Sequence, residues 1–83
     1  MATGTVKKPL SIEITNETLT FDASGIARRS LRDGYWLIAA SVDNGSGLSV
    51  SYSHGNLYYL VNSSYASASN VPCWLTWVNI QSP

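Results

Sequence analysis

Apolar and polar residues alternate along much of this chain with a period of two, the spacing that sends successive side chains to opposite faces of a strand. The clearest case is Leu48-Ser49-Val50-Ser51-Tyr52-Ser53, where Leu48, Val50 and Tyr52 share one face and three serines share the other. Residues 35–42 (YWLIAASV) form a continuous apolar run of strand length. It is entered through the turn pair Asp33-Gly34 and left through Asp43-Asn44-Gly45-Ser46-Gly47, whose composition is that of a hairpin loop. Residues 57–61 (LYYLV) return across the short loop His54-Gly55-Asn56. Residues 72–80 (PCWLTWVNI) are apolar on both parities, so this closing strand calls for cover on both faces. Upstream, residues 10–14 (LSIEI), 18–21 and 25–31 (GIARRSL) are shorter strand candidates. No window carries apolar residues at helical spacing without interruption. The pattern predicts an all-β fold: a small antiparallel β-sandwich or meander of six to seven strands over residues 10–83. Residues 1–9 read as a flexible arm or linker remnant.

Strand parity also assigns faces. Within residues 35–42 it points Trp36, Ile38, Ala40 and Val42 inward and Tyr35 and Leu37 outward. Within residues 57–61 it points Leu57, Tyr59 and Val61 inward and Tyr58 and Leu60 outward. Outward aromatics mark a subunit interface or a ligand platform. Tyr35, Leu37, Leu60, Trp74 and Trp77 are the interface candidates. Residues 62–70 (NSSYASASN) make a long Ser- and Asn-rich loop, and Tyr58, Asn62, Ser64 and Tyr65 around it are the candidates for ligand binding.

Composition sharpens the assembly reading. A chain of 83 residues has room for one domain, which buries only about 60–65% of the surface its unfolded form exposes. With 45% hydrophobic and only 12% charged residues, its surface is too poor in charge for an ordinary monomer. The single cysteine, Cys73, forms no intrachain disulfide, and small domains without such staples gain stability by oligomerising. Five basic residues and a net charge of zero exclude a phosphate-tracking nucleic-acid surface. No apolar run is long enough to span a bilayer, and the first ten residues lack the apolar stretch of a secretory signal. His54 is the only histidine and sits in a turn without companion ligands, while Asp22, Asp33 and Asp43 lie beside predicted turns. No catalytic residue, metal site or cofactor is therefore expected.

From residue 25 to residue 80 the order of segments resembles the C-terminal modules of phage tail-fibre and receptor-binding proteins. The resemblance is carried by a basic-polar strand end (IARRSLRDGY), an apolar strand (WLIAASV), a DNGSG hairpin, a serine strand (LSVSYS), NLYYLVN, a Ser/Asn loop and a closing WLTWVNI. It implies a β-sandwich that assembles as a homotrimer at the distal end of a fibre, on a virion or extracellular surface, and recognises a host-surface glycan or protein. Two other functions stay open: a monomeric carbohydrate-binding, lectin-like module, and a purely structural assembly or decoration protein.

Overall fold

The computed structural model describes residues 11–53 and 55–79. The predicted arm at residues 1–9, His54 and the end of the closing strand at Ile80 lie outside the described residues.

The chain is all-β. Its strands are β1 (Ile12–Leu19), β2 (Ile26–Ser30), β3 (Tyr35–Val42), β4 (Gly47–Ser53), β5 (Leu57–Val61) and β6 (Val71–Asn79), with one 3-10 turn at Ser63–Tyr65. They form a single antiparallel sheet in the order β1-β6-β3-β4-β5-β2. The sheet curls until Arg29 of β2 and Glu17 of β1, its two end strands, are in contact.

Local chemistry sets the turns. Asp43-Asn44-Gly45-Ser46 closes the β3–β4 hairpin through Gly45 N–H to the Val42 carbonyl (2.8 Å) and Val42 N–H to the Ser46 carbonyl (2.7 Å). Asn44 Oδ1 accepts from Ser46 N–H, and Gly45 takes the positive φ (95°) that the turn requires. Asp22 organises the β1–β2 connection by accepting from the N–H groups of Ile26 and Ser24 and from Arg28. Those bonds, the one from Ile26 foremost, hold its carboxyl below the ordinary value. Gly25 lies against the Asn62 backbone, where a Cβ would come within 2.5 Å of a carbonyl oxygen, and its φ is +81°. No other residue type fits there without a backbone shift.

One strand is found where two short ones were expected at residues 10–14 and 18–21. The polar residues between them continue the alternation, because Thr15 and Glu17 point into the curl and find partners there. Phe21 leaves the strand and is buried against Tyr65, ring centroids 5.7 Å apart.

Strand β3 departs most from its expected orientation. Its pairing with β6 runs Leu37 against Trp77 and then Ala39 against Thr76, so Ile38 is an extra, bulged residue. A bulge reverses strand parity. Tyr35 and Leu37 before it and Ala40 and Val42 after it therefore all turn toward the core, while Trp36 and Ile38 are exposed. The expected inward placement of Trp36 and Ile38 and outward placement of Tyr35 and Leu37 are thus corrected.

Strand β5 is also reversed relative to expectation. Tyr58 and Leu60 are buried, and Leu57, Tyr59 and Val61 lie on the outside, half-buried. Register explains this, since Leu60 opposes Ala27 of β2 and Val50 of β4, both inward-facing.

The core is built on Trp77. Its ring meets Tyr58 edge-on at 6.1 Å, and its indole N–H donates to Thr15 Oγ1 at 2.9 Å. Leu37 opposes it on β3, and Leu75, Cys73, Leu60 and Val42 belong to the same buried core. The pairing of β3 with β4 is confined to Ala40–Leu48 and Ser41–Gly47. Beyond Ala40 the two strands part, and the Tyr58 hydroxyl enters the gap to accept from Leu37 N–H at 3.2 Å. Tyr52 fills the outer part of the gap between Tyr58 and Trp36.

Across the seam between β1 and β2, ion pairs stand where a closed barrel would have backbone hydrogen bonds. Arg29 of β2 grips Glu17 of β1 with Nε and Nη2 (2.6 and 3.1 Å), and its guanidinium lies over the Trp77 ring at 5.0 Å. Arg32 pairs with Glu13 and lies over Tyr35 at 3.9 Å. Inward-pointing charge on an edge strand discourages open-ended pairing with other chains.

Candidate functional site

Glu13 and Glu17 sit on the other side of β1, so the outward residues of β1, β6 and β3 carry no charge, and the Asp43 carboxylate stands at the edge of their face beside Trp74. It consists of Ile12, Ile14, Asn16 and Thr18 on β1, Pro72, Trp74, Thr76 and Val78 on β6, and Trp36, Ile38, Ala39 and Ser41 on β3. Cross-strand register arranges these in rows: Ile12–Val78–Trp36, Ile14–Thr76–Ala39 and Asn16–Trp74–Ser41. The first row and Ile38 are apolar, and the second sets Ile14 and Ala39 on either side of Thr76. Relative exposures of 64% for Ile12, 59% for Ile14, 48% for Trp36 and 53% for Ile38 are those of core-type residues with no core over them.

Together these four side chains expose roughly 500 Å², as large as the biggest apolar patch on a typical monomer. A standard stable interface takes about 800 Å² from each partner, so this patch is large enough to form the apolar centre of one. The third row is different in kind. Trp74 sits there among Asn16, Ser41 and the neighbouring Asp43.

The opposite outer face, on β4, β5 and β2, is mixed, with half-buried Leu57, Tyr59 and Val61 of β5 lying between the serines of β4 and Ile26, Arg28 and Ser30 of β2. Ser49, Ser51 and Ser53 run along β4, and Arg28 lies over the Tyr59 ring at 5.1 Å while bonding Asp22 at 3.0 Å. No cavity is present among the described residues, and none of their Cys, Asp or Glu side chains cluster at metal-binding spacing.

Of the residues expected to bind ligand, Tyr58 is in the core with its hydroxyl committed to Leu37, which removes it from any surface site. Tyr65 is half-buried against Phe21, and its hydroxyl accepts from Asn44 Nδ2 at 2.9 Å. Asn62 caps the 3-10 turn by accepting from Ser64 N–H and donates to the Gly47 carbonyl at 3.0 Å. The Ser-rich loop is thereby latched to the β3–β4 hairpin, and Ser64 is left exposed on it. Among the expected interface residues, Leu37, Leu60 and Trp77 are interior, and Tyr35 is half-buried under Arg32. Trp74 alone of that group is exposed.

Sequence reasoning passed over Ile12 and Ile14 on β1 and had Trp36 and Ile38 on the wrong side of β3. The two-sided apolarity of residues 72–80 was the signal that could have found the face, because it already asked for cover outside the core. In comparisons with known proteins, no family model matches the chain, and no curated protein or solved structure matches it.

Proposed function

We propose that this chain is a non-enzymatic assembly and binding module whose copies associate through the apolar rows of the β1–β6–β3 outer face. The observation that carries the reading is the exposed, apolar character of those rows in a chain that pairs four of its charged side chains with one another on the other side of β1. An uncharged face is compatible with itself, because identical copies meet there without like-charge repulsion. Sheet faces of this kind stack about 10 Å apart with interdigitating side chains. Four of the five acidic residues serve the fold, Glu13 and Glu17 in the seam, Asp22 in a turn and Asp43 on Trp74, which supports a non-catalytic role. The resemblance to phage fibre modules fits the same picture. There the assembly is a trimer at a fibre end, displayed on a virion and contacting a host-surface glycan or protein.

Fluorine NMR of 5-fluorotryptophan-labelled protein tests this reading, with the Trp36 signal assigned through Trp36→Phe. In the assembly, Trp36 is shielded from a soluble paramagnetic agent nearly as well as core Trp77. Relaxation of Trp36 at the rate of an open surface indole contradicts the proposal.

A further inference from the structure

The two ends of the β1–β6–β3 outer face have different chemistry, and the Trp74 end does not suit burial against a second copy. Trp74 lies four residues from Val78 along β6, about 13 Å at the usual rise of a strand. The residue is 42% exposed, and its indole N–H donates to Asp43 Oδ1 at 2.8 Å. That bond ties the ring edge to the hairpin tip while the residue stays partly open to solvent. Asn16 and Ser41 are its direct cross-strand partners, on the same face, with side chains about 5 Å away at the Cβ positions. Asn16 Nδ2 is held by the Cys73 carbonyl at 3.2 Å, so the exposed amide is also fixed in place. The result is a pinned aromatic plane bordered by a carboxylate, an amide and a hydroxyl. Trp36, by contrast, lies among Ile38, Val78 and Tyr52.

We propose that Trp74, with Asp43, Asn16 and Ser41 around it, forms a surface subsite for a neutral sugar ring. The axial C–H face of a pyranose is apolar and stacks on an indole, while its equatorial hydroxyls point sideways to where the Asp43, Asn16 and Ser41 groups lie. A carboxylate at the rim repels anionic ligands, which selects uncharged saccharides over phosphates and acidic sugars. The subsite is shallow, with no cavity beneath it, so a single site binds weakly. Several copies on one assembly would raise the effective affinity. The inference rests on the Trp74 row alone and stands whether or not the apolar rows mediate self-association.

The test follows the three indole N–H cross-peaks in ¹⁵N-labelled protein titrated with maltotetraose, cellotetraose, chitotetraose and mannotetraose, each to about 10 mM, the millimolar range of single weak sites. At least one of them moves the Trp74 peak saturably, and an acidic oligosaccharide, trigalacturonate, does not. Trp74→Ala lowers the affinity at least tenfold and Asp43→Asn at least threefold, with the sedimentation mass unchanged. A silent Trp74 peak across all four sugars overturns the proposal, as does binding retained by folded Trp74→Ala. Loss of mass in Trp74→Ala would show instead that this row belongs to the copy interface. A monomer that still binds sugar through Trp74 would sink only the assembly reading.

Discussion

Tyr58 shows how one side chain joins two strands that do not pair with each other. Its ring fills the core beside Trp77, and its hydroxyl takes the place of the carbonyl that β4 would have offered Leu37 had the two strands stayed together. Tyr58→Phe keeps the ring and removes the acceptor, leaving a buried N–H unsatisfied, which costs about 1–2 kcal/mol. Urea denaturation should show this as a lower midpoint at unchanged slope. An unaltered midpoint would mean that water reaches Leu37 and that the gap is not closed. Turn residues were legible in the sequence because their chemistry is local: Asn44, Gly45 and Asp22 act on backbone groups a few positions away. Tyr58 was not legible. Its orientation depends on the register of β5 against two other strands, and residues 57–61 are apolar on both parities.

At the level of strands, the bulge in β3 decides which residues form the core. With Ile38 removed, the run Tyr35-Trp36-Leu37-Ala39-Ala40-Ser41-Val42 alternates regularly and keeps Tyr35, Leu37, Ala40 and Val42 inside. Deletion of Ile38 should therefore leave a folded protein with its tryptophan core intact, despite the usual cost of deleting a residue from mid-strand. Deleting Thr76 from β6, which has no bulge to absorb the change, throws Trp77 or Leu75 outward and should abolish folding. Near-ultraviolet circular dichroism reads both variants, and an unfolded Ile38 deletion with native-like controls would refute the parity argument. A continuous apolar run hides such a bulge from sequence reading, because apolar residues on both parities fit either phase.

The β1–β2 seam is the other element the sequence concealed, since an acidic residue in a strand ordinarily reads as facing solvent. Glu17 and Arg29 are each about a quarter exposed in their side chains, which places their pair between a surface and a buried ion pair. A double-mutant cycle with Glu17→Gln and Arg29→Met should give a coupling of about 1 kcal/mol at low salt, falling in concentrated sodium chloride. Coupling that is absent, or indifferent to salt, would mean that the Trp77 stacking holds Arg29 without help from Glu17.

For the whole molecule, the strand-like chain and the order of its hairpins were legible, because alternation is a property of the sequence itself. Where the apolar outer face lies was not legible. That depended on the bulge turning Trp36 and Ile38 outward, and on the curl drawing Glu13 and Glu17 into the seam. The two together leave Ile12, Ile14, Trp36 and Ile38 exposed on one face, while the other carries the serines of β4, Arg28 and half-buried Leu57, Tyr59 and Val61. Sedimentation equilibrium on the native chain beside Ile14→Lys tests this account most directly, since Ile14 is exposed and lies outside the core. The native chain should sediment as a multiple of its 9.0 kDa mass, and Ile14→Lys, with its circular dichroism unchanged, as a single chain. A native chain that stays monomeric at micromolar concentration, or a lysine variant that assembles as well as the native one, would contradict it.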